Sequence, residues 1–262
     1  MFSFFSHMPS VTKNLLIINV LLYFVSIWFE STGVINLFDL FSSHYIGTPF
    51  FEPFQIVTHM FMHSAHDFRH IFFNMFGLVI FGSHLEQVWG AKKFFIFYFI
   101  VGIGAFAVEN IYYGIQVYQL KNELVAMGYD LSKINDFIME YKYFAGSEGI
   151  ASPDPNLVPY HLPEGIGYIK LSLSSGLGAS GALFGILGAF VILFPNTELM
   201  LLFIPYPIKA KYLIGIYILY EVYRTFNPVI GDNVNHLAHI SGAAIGIAYV
   251  FISRKFDRGS FY

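Results

Sequence analysis

Apolar residues along this chain gather into six long runs, separated by segments in which charged residues, glycine and proline return. The first run, VTKNLLIINVLLYFVSIWF at 11–29, is long enough to cross a hydrocarbon core of about 30 Å as a helix rising ~1.5 Å per residue. Runs at 70–89, 94–113, 177–194, 208–226 and 235–252 predict five further spans. Each is read as a helix, because a lone backbone in lipid must satisfy its own hydrogen bonds. The pattern has no internal repeat at a fixed period and no low-complexity tract.

The connections are uneven. Residues 30–69 form a loop rich in Phe, Gly and Pro, with TPF at 48–50 and EPF at 52–54, too aromatic for a simple linker and suited to the membrane interface. Residues 114–176 form the longest one. Its first half, YQLKNELVAM and SKINDFIMEYKYF, predicts two short amphipathic helices parted by Gly128-Tyr129-Asp130, and ASPDPNLVPYHLPEG at 151–165 reads as coil. The expected organisation is one membrane domain over 1–262, with an extracytoplasmic insertion at about 114–176 between the third and fourth spans.

Composition fixes the class. The chain is 56% hydrophobic, 19% aromatic and 12% charged, with a mean hydropathy of +0.59, whereas soluble proteins carry about 25% charged residues. An all-α polytopic membrane protein is expected. A net charge of -3 with dispersed Lys and Arg leaves no basic patch, so nucleic acid is excluded as a partner. The absence of cysteine removes thiolate chemistry and disulfides. MFSFFSHMPS at the start lacks the regions of a removable signal peptide.

Positive charge orients the spans. Lys13, Lys92, Lys93, Lys209, Lys211, Arg254, Lys255 and Arg258 fall on one side if six spans alternate, which places both termini in the cytoplasm. The His70 end of the second span, the Ser180 end of the fourth and the His239 end of the sixth then share the outer level.

The candidate chemistry lies at that level. GASGALFGILGAF at 178–190 holds Ser180 between glycines at the start of an apolar run. In the sixth span, His239, Gly242 and Gly246 lie at i, i+3 and i+7 on one face, and in the fourth Gly181, Gly185 and Gly188, at i, i+4 and i+7, form a matching face. If the two small-residue faces pack, Ser180 and His239 meet. A serine needs such a base to take its proton during attack. Phe184, one turn below Ser180, is placed to stack on the imidazole. On the second span His70 and Asn74 share a face at i and i+4 and, with the Ser180 amide at a helix N-terminus, are candidate donors to a developing oxyanion.

The strings THMFMH at 58–63, HIFFNMFGL at 70–78, GSHLEQVWG at 82–90, GASGALFG at 178–185 and AHISGAAIG at 238–246 give the chain a specific likeness. It resembles the rhomboid intramembrane serine proteases from about Glu52 to about Tyr249. The resemblance implies a six-helix core, Ser180 as nucleophile and His239 as base with no third carboxylate, and an oxyanion site at His70, Asn74 and the Ser180 amide. It implies a fourth span that starts below the membrane surface and substrates that are single-pass membrane proteins cut in or near the bilayer. No cofactor and no metal are expected, and the expected location is a bacterial inner membrane, with the site opening to the extracytoplasmic side by the charge-based orientation. The chain departs from the pattern at Phe54-Gln55, where a Trp-Arg pair is usual, in two extra residues between His63 and His70, and in the long insertion.

Other polar residues get structural readings. His59, His63 and His66 precede His70 at helical spacings, but HDFRH has Asp67 where a zinc protease helix needs glutamate, so His59 and His63 are assigned hydrogen-bonding roles in the first loop. Glu86 is expected to be an acceptor tying the second span to a loop or helix end. Glu221 and Arg224, at i and i+3, are expected to pair with each other. Glu109 has no assigned role. A transporter would show paired ionisable groups in repeated halves, which are absent here. The competing function is a catalytically silent rhomboid-like protein that binds transmembrane helices, although such proteins usually lack the serine or the histidine.

Overall fold

Helices occupy all six apolar runs in a computed structural model that describes residues 7–65, 67–144, 158–201, 204–229, 232 and 234–256. The chain divides into two compact units, one of residues 1–42, 56–109 and 177–262, the other of 43–55 and 110–176.

In the first unit, α1 is Ser10–Thr32, ended by Gly33 in the left-handed conformation. The helix α2, Phe68–Trp89, carries a π-helical turn over Leu78–Gly82. Asp67 starts it, its carboxylate accepting from the Arg69 amide at 3.1 Å, so the acid of HDFRH is a helix cap. Then comes α3, Ala91–Ala126, whose residues through Glu109 belong to this unit. Three further long helices belong to it: α6, Ser180–Leu193; α7, Ala210–Phe226; and α8, His236–Phe256. The helices α1, α2, α3 and α8 are each long and apolar enough to cross a membrane. The core between them includes Leu78, Leu85, Phe94, Phe97, Tyr98, Ile186 and Ala189.

The helix α6 is shorter than its apolar run. Its 14 residues rise about 21 Å, less than a hydrocarbon core of about 30 Å. The chain before Ser180 is not helical because Gly178 takes φ +126, a backbone conformation that L side chains rarely adopt. After α6, an antiparallel hairpin of β3, Glu198–Leu201, and β4, Ile204–Lys209, leads into α7. The prolines of β4, Pro205 and Pro207, suit a strand with a free edge.

Glu86 ties α2 to the start of α1, as its sequence position suggests. One carboxylate oxygen accepts from the Val11 amide at 2.8 Å, and the other from the Thr12 amide at 2.7 Å and the Thr12 hydroxyl at 2.8 Å. Pro9, the residue capping α1, gives no side-chain bond of its own.

The second unit has a separate core of Phe50, Val117, Leu124, Ile134, Ile138 and Tyr168. Three helical segments line it: α3 from Asn110 onward, α4 at Leu131–Phe144 and α5 at Pro163–Leu173. The two predicted amphipathic helices are present, the first as a continuation of the third apolar helix. Gly128, at φ +88, makes the turn between them. The helix α5 falls where a coil or no element was expected, and much of ASPDPNLVPYHLPEG lies outside the described residues. A short antiparallel pair, β1 at Ser43–His44 and β2 at Ser175–Gly176, brings the first loop into this unit. Gln55 organises that loop: its amide oxygen accepts from the Glu52 amide at 3.2 Å and the His44 amide at 3.3 Å, and its nitrogen donates to the Phe50 carbonyl at 3.2 Å.

Candidate active site

The glycine faces of α6 and α8 pack against each other with backbone touching backbone. A Cβ on Gly242 would collide with the Gly181 carbonyl, one on Gly246 with the Gly185 carbonyl, and one on Gly188 with the Ala243 carbonyl. Small residues at these positions let the two helices approach as far as their main chains allow.

His239, one turn before Gly242, is thereby delivered over α6. Its ring lies flat on Phe184, with centroids 4.1 Å apart and planes 12° from parallel. On α6, Phe184 sits one turn after Ser180, so the stack holds the imidazole at the serine end of the helix. Tyr217 of α7 meets Phe184 at 5.0 Å and closes the aromatic row. His239 is 7% exposed. Among the described residues no hydrogen bond joins Ser180 Oγ to His239, and in a substrate-free site such bonds are commonly long.

The other side of Ser180 is formed by Gly178 and α2. The Gly178 amide donates to the His59 carbonyl at 2.9 Å, so it is the main chain of His59 that fixes this turn. A Cβ at Gly178 would stand 2.8 Å from His70 Nε2 and 3.6 Å from Ser180 Oγ. His70 and Ser180 thus both border the space that the missing side chain leaves. Asn74 is buried on the same face of α2, and its Nδ2 donates to the His70 carbonyl at 2.8 Å, leaving that nitrogen's second hydrogen for another acceptor. His63 is fully buried beside His70, ring centroids 5.1 Å apart. Burial, and then the His70 charge, push His63 down to about 3, so it stays neutral. The remaining histidine of the zinc reading, His66, lies outside the described residues.

The expectation for Glu221 fails. It does not pair with Arg224. Glu221 Oε2 lies 2.9 Å from His239 Nδ1 and 2.5 Å from His236 Nδ1, while Arg224 pairs with Asp232 and donates to the Tyr220 hydroxyl at 2.9 Å. The i, i+3 spacing favoured a local partner, but in α7 Glu221 faces α8 and Arg224 the chain before it. The signal that could have found this is the acid itself, an ionisable group inside an apolar run. His236, three residues before His239, was the second clue. The three residues hold donor atoms within 4.8 Å of one another, a spacing that suits a metal as well as the direct hydrogen bonds described.

Glu109 also gains a role. It accepts from Asn235 Nδ2, and Asn235 in turn caps α8, its Oδ1 accepting from the Ala238 amide at 3.0 Å and its carbonyl from the His239 amide at 3.2 Å. The helix end that carries His239 is therefore pinned from α3.

A family model described as Rhomboid domain matches residues 51–119 and 162–256. It takes in Ser180, His239, His70 and Asn74, and it passes over much of the second unit. No curated protein matches the chain.

Proposed function

Given that the chain belongs to the rhomboid family and is an integral membrane protein with four spanning-length apolar helices, we propose that it is an intramembrane serine endopeptidase acting on single-pass membrane proteins. The observation that carries this reading is the delivery of the His239 ring onto Phe184, one turn below Ser180, by glycine faces in backbone contact.

In the proposed reaction His239 Nε2 takes the Ser180 hydroxyl proton as Oγ attacks the scissile carbonyl. The oxyanion is met by the Ser180 amide at the N-terminus of α6, the remaining Asn74 Nδ2 hydrogen and His70 Nε2. Collapse returns the proton to the leaving amine, and water then hydrolyses the acyl-serine by the same base. A fourth helix of 14 residues, starting at Ser180 rather than at a membrane surface, supports a nucleophile set below that surface and open to water. With six spans and both termini cytoplasmic, the site opens to the extracytoplasmic side, as in a bacterial inner membrane.

The test is cleavage of a single-pass substrate by the purified full chain in liposomes, with fluorophosphonate labelling in parallel. Wild type should cleave and label, and Ser180→Ala and His239→Ala should do neither. Substrate capture without cleavage, equal in wild type and Ser180→Ala, would instead identify a silent helix-binding member of the family.

A further inference from the structure

We propose that Glu221 is a positioning residue for His239, so that this chain works through a buried Ser180–His239–Glu221 relay rather than through serine and histidine alone. The inference rests on the proteolytic reading of Ser180 and His239.

Glu221 and His239 side chains are 3% and 9% exposed, and their bond, Glu221 Oε2 to His239 Nδ1, is 2.9 Å long. An ionised carboxylate only accepts, so Nδ1 must be the nitrogen that carries the proton. The lone pair is then on Nε2, the nitrogen left to face Ser180. A neutral imidazole without such a partner divides between two tautomers, one of which cannot act as a base at Nε2. Glu221 selects the competent form, while the Phe184 stack fixes the plane of the ring.

The carboxylate is itself held. Its Oε2 is 2.5 Å from His236 Nδ1, and His236 Nε2 is 3.0 Å from Asp232 Oδ2. That Asp232 oxygen also takes Arg224, and Asp232 Oδ1 accepts from the Val234 amide at 3.0 Å. A buried acid with both of these partners cannot swing away from His239 without breaking the His236 bond. When His239 becomes an imidazolium during attack, the negative charge of Glu221 stabilises it, and because both side chains are buried that attraction is only weakly screened.

The experiment compares wild type, Glu221→Gln and Glu221→Asp in liposomes, with turnover and KM measured separately. Glu221→Gln should lower kcat by at least ~10²-fold, against a benchmark of about 10⁴ for the corresponding acid-to-amide change in a serine protease triad, and leave KM within threefold. Glu221→Asp should recover part of kcat. An unchanged kcat in folded Glu221→Gln overturns the proposal, and so does activity that is lost to a chelator and restored by zinc, because the metal would then hold Nδ1. A second measurement needs no variant at the acid and no turnover. Nitrogen-15 imidazole spectra of wild type, with His239 assigned from His239→Ala, should show a proton on Nδ1 and none on Nε2. The reverse tautomer sinks the proposal even if Glu221→Gln fails to fold. The protease reading fails separately, if wild type and Ser180→Ala cleave equally.

Discussion

At the residue scale, the candidate site is shaped as much by a missing side chain as by those of Ser180, His70 and His239. Gly178 sits at φ +126, and an added Cβ would come within 2.8 Å of His70 Nε2. Gly178→Ala should therefore act twice, through backbone strain on the order of 1–3 kcal/mol and through displacement of His70 or Ser180. Fluorophosphonate labelling of Ser180 should slow at least tenfold while the protein still folds, as read by thermal unfolding in detergent. A labelling rate equal to wild type would mean the turn has room that the geometry denies. Legibility at this scale follows sequence distance. The Phe184 stack was readable, because Phe184 and Ser180 are four apart on one helix. The Glu221 bonds were not, because His236 and His239 lie 15 and 18 residues beyond it across a loop, while Arg224 offered a nearer and misleading partner. Glu109 and Asn235 are separated by 126 residues and left no local trace.

At the element scale, the helices were legible wherever apolar length alone decided them, and their ends were less so. The third run continues to Ala126 because nothing breaks the helix before Gly128, although Lys121 and Glu123 make its last turns too polar to be recognised as span. The hairpin β3–β4 hid inside the apolar letters leading into the fifth run, and α5 hid behind Gly165 and Gly167 despite Pro163 in its first turn. Glu86 was predicted as a structural acceptor because an acid on α2 needs donors, and the start of α1 supplies them. Without it, the Val11 and Thr12 amides and the Thr12 hydroxyl lose their acceptor. Glu86→Ala should cost about 2–3 kcal/mol, the scale of hydrogen bonds to a charged group. Unfolding titrated with a denaturing detergent would measure it, and the serine should still label in protein that remains folded. Loss of labelling without loss of stability would place Glu86 in the chemistry instead.

At the scale of the whole molecule, the residues of α3 are divided between the units, those through Glu109 belonging to the first and those from Asn110 to the second. The second unit is more than a long loop. Leu124 and Ile134 are fully buried in it, and its Tyr168 hydroxyl donates to Asn135 at 2.8 Å. Its core shares no buried residue with the core that surrounds α6, so damage to one should not by itself empty the other. Ile134→Ala makes this testable. Truncating a fully buried isoleucine costs about 2–5 kcal/mol, and the loss should be confined to the unit that contains it. Trypsin should then cut at Lys121 and Lys133 well before it cuts elsewhere, faster than in wild type, while fluorophosphonate labelling of Ser180 continues at the wild-type rate. Single-pass substrate cleavage, measured on the same sample, separates two roles for the second unit. If labelling persists and cleavage falls, the unit acts on the substrate rather than on Ser180. If labelling and trypsin resistance are lost together, the two cores fold as one cooperative body and the division into units has no energetic meaning.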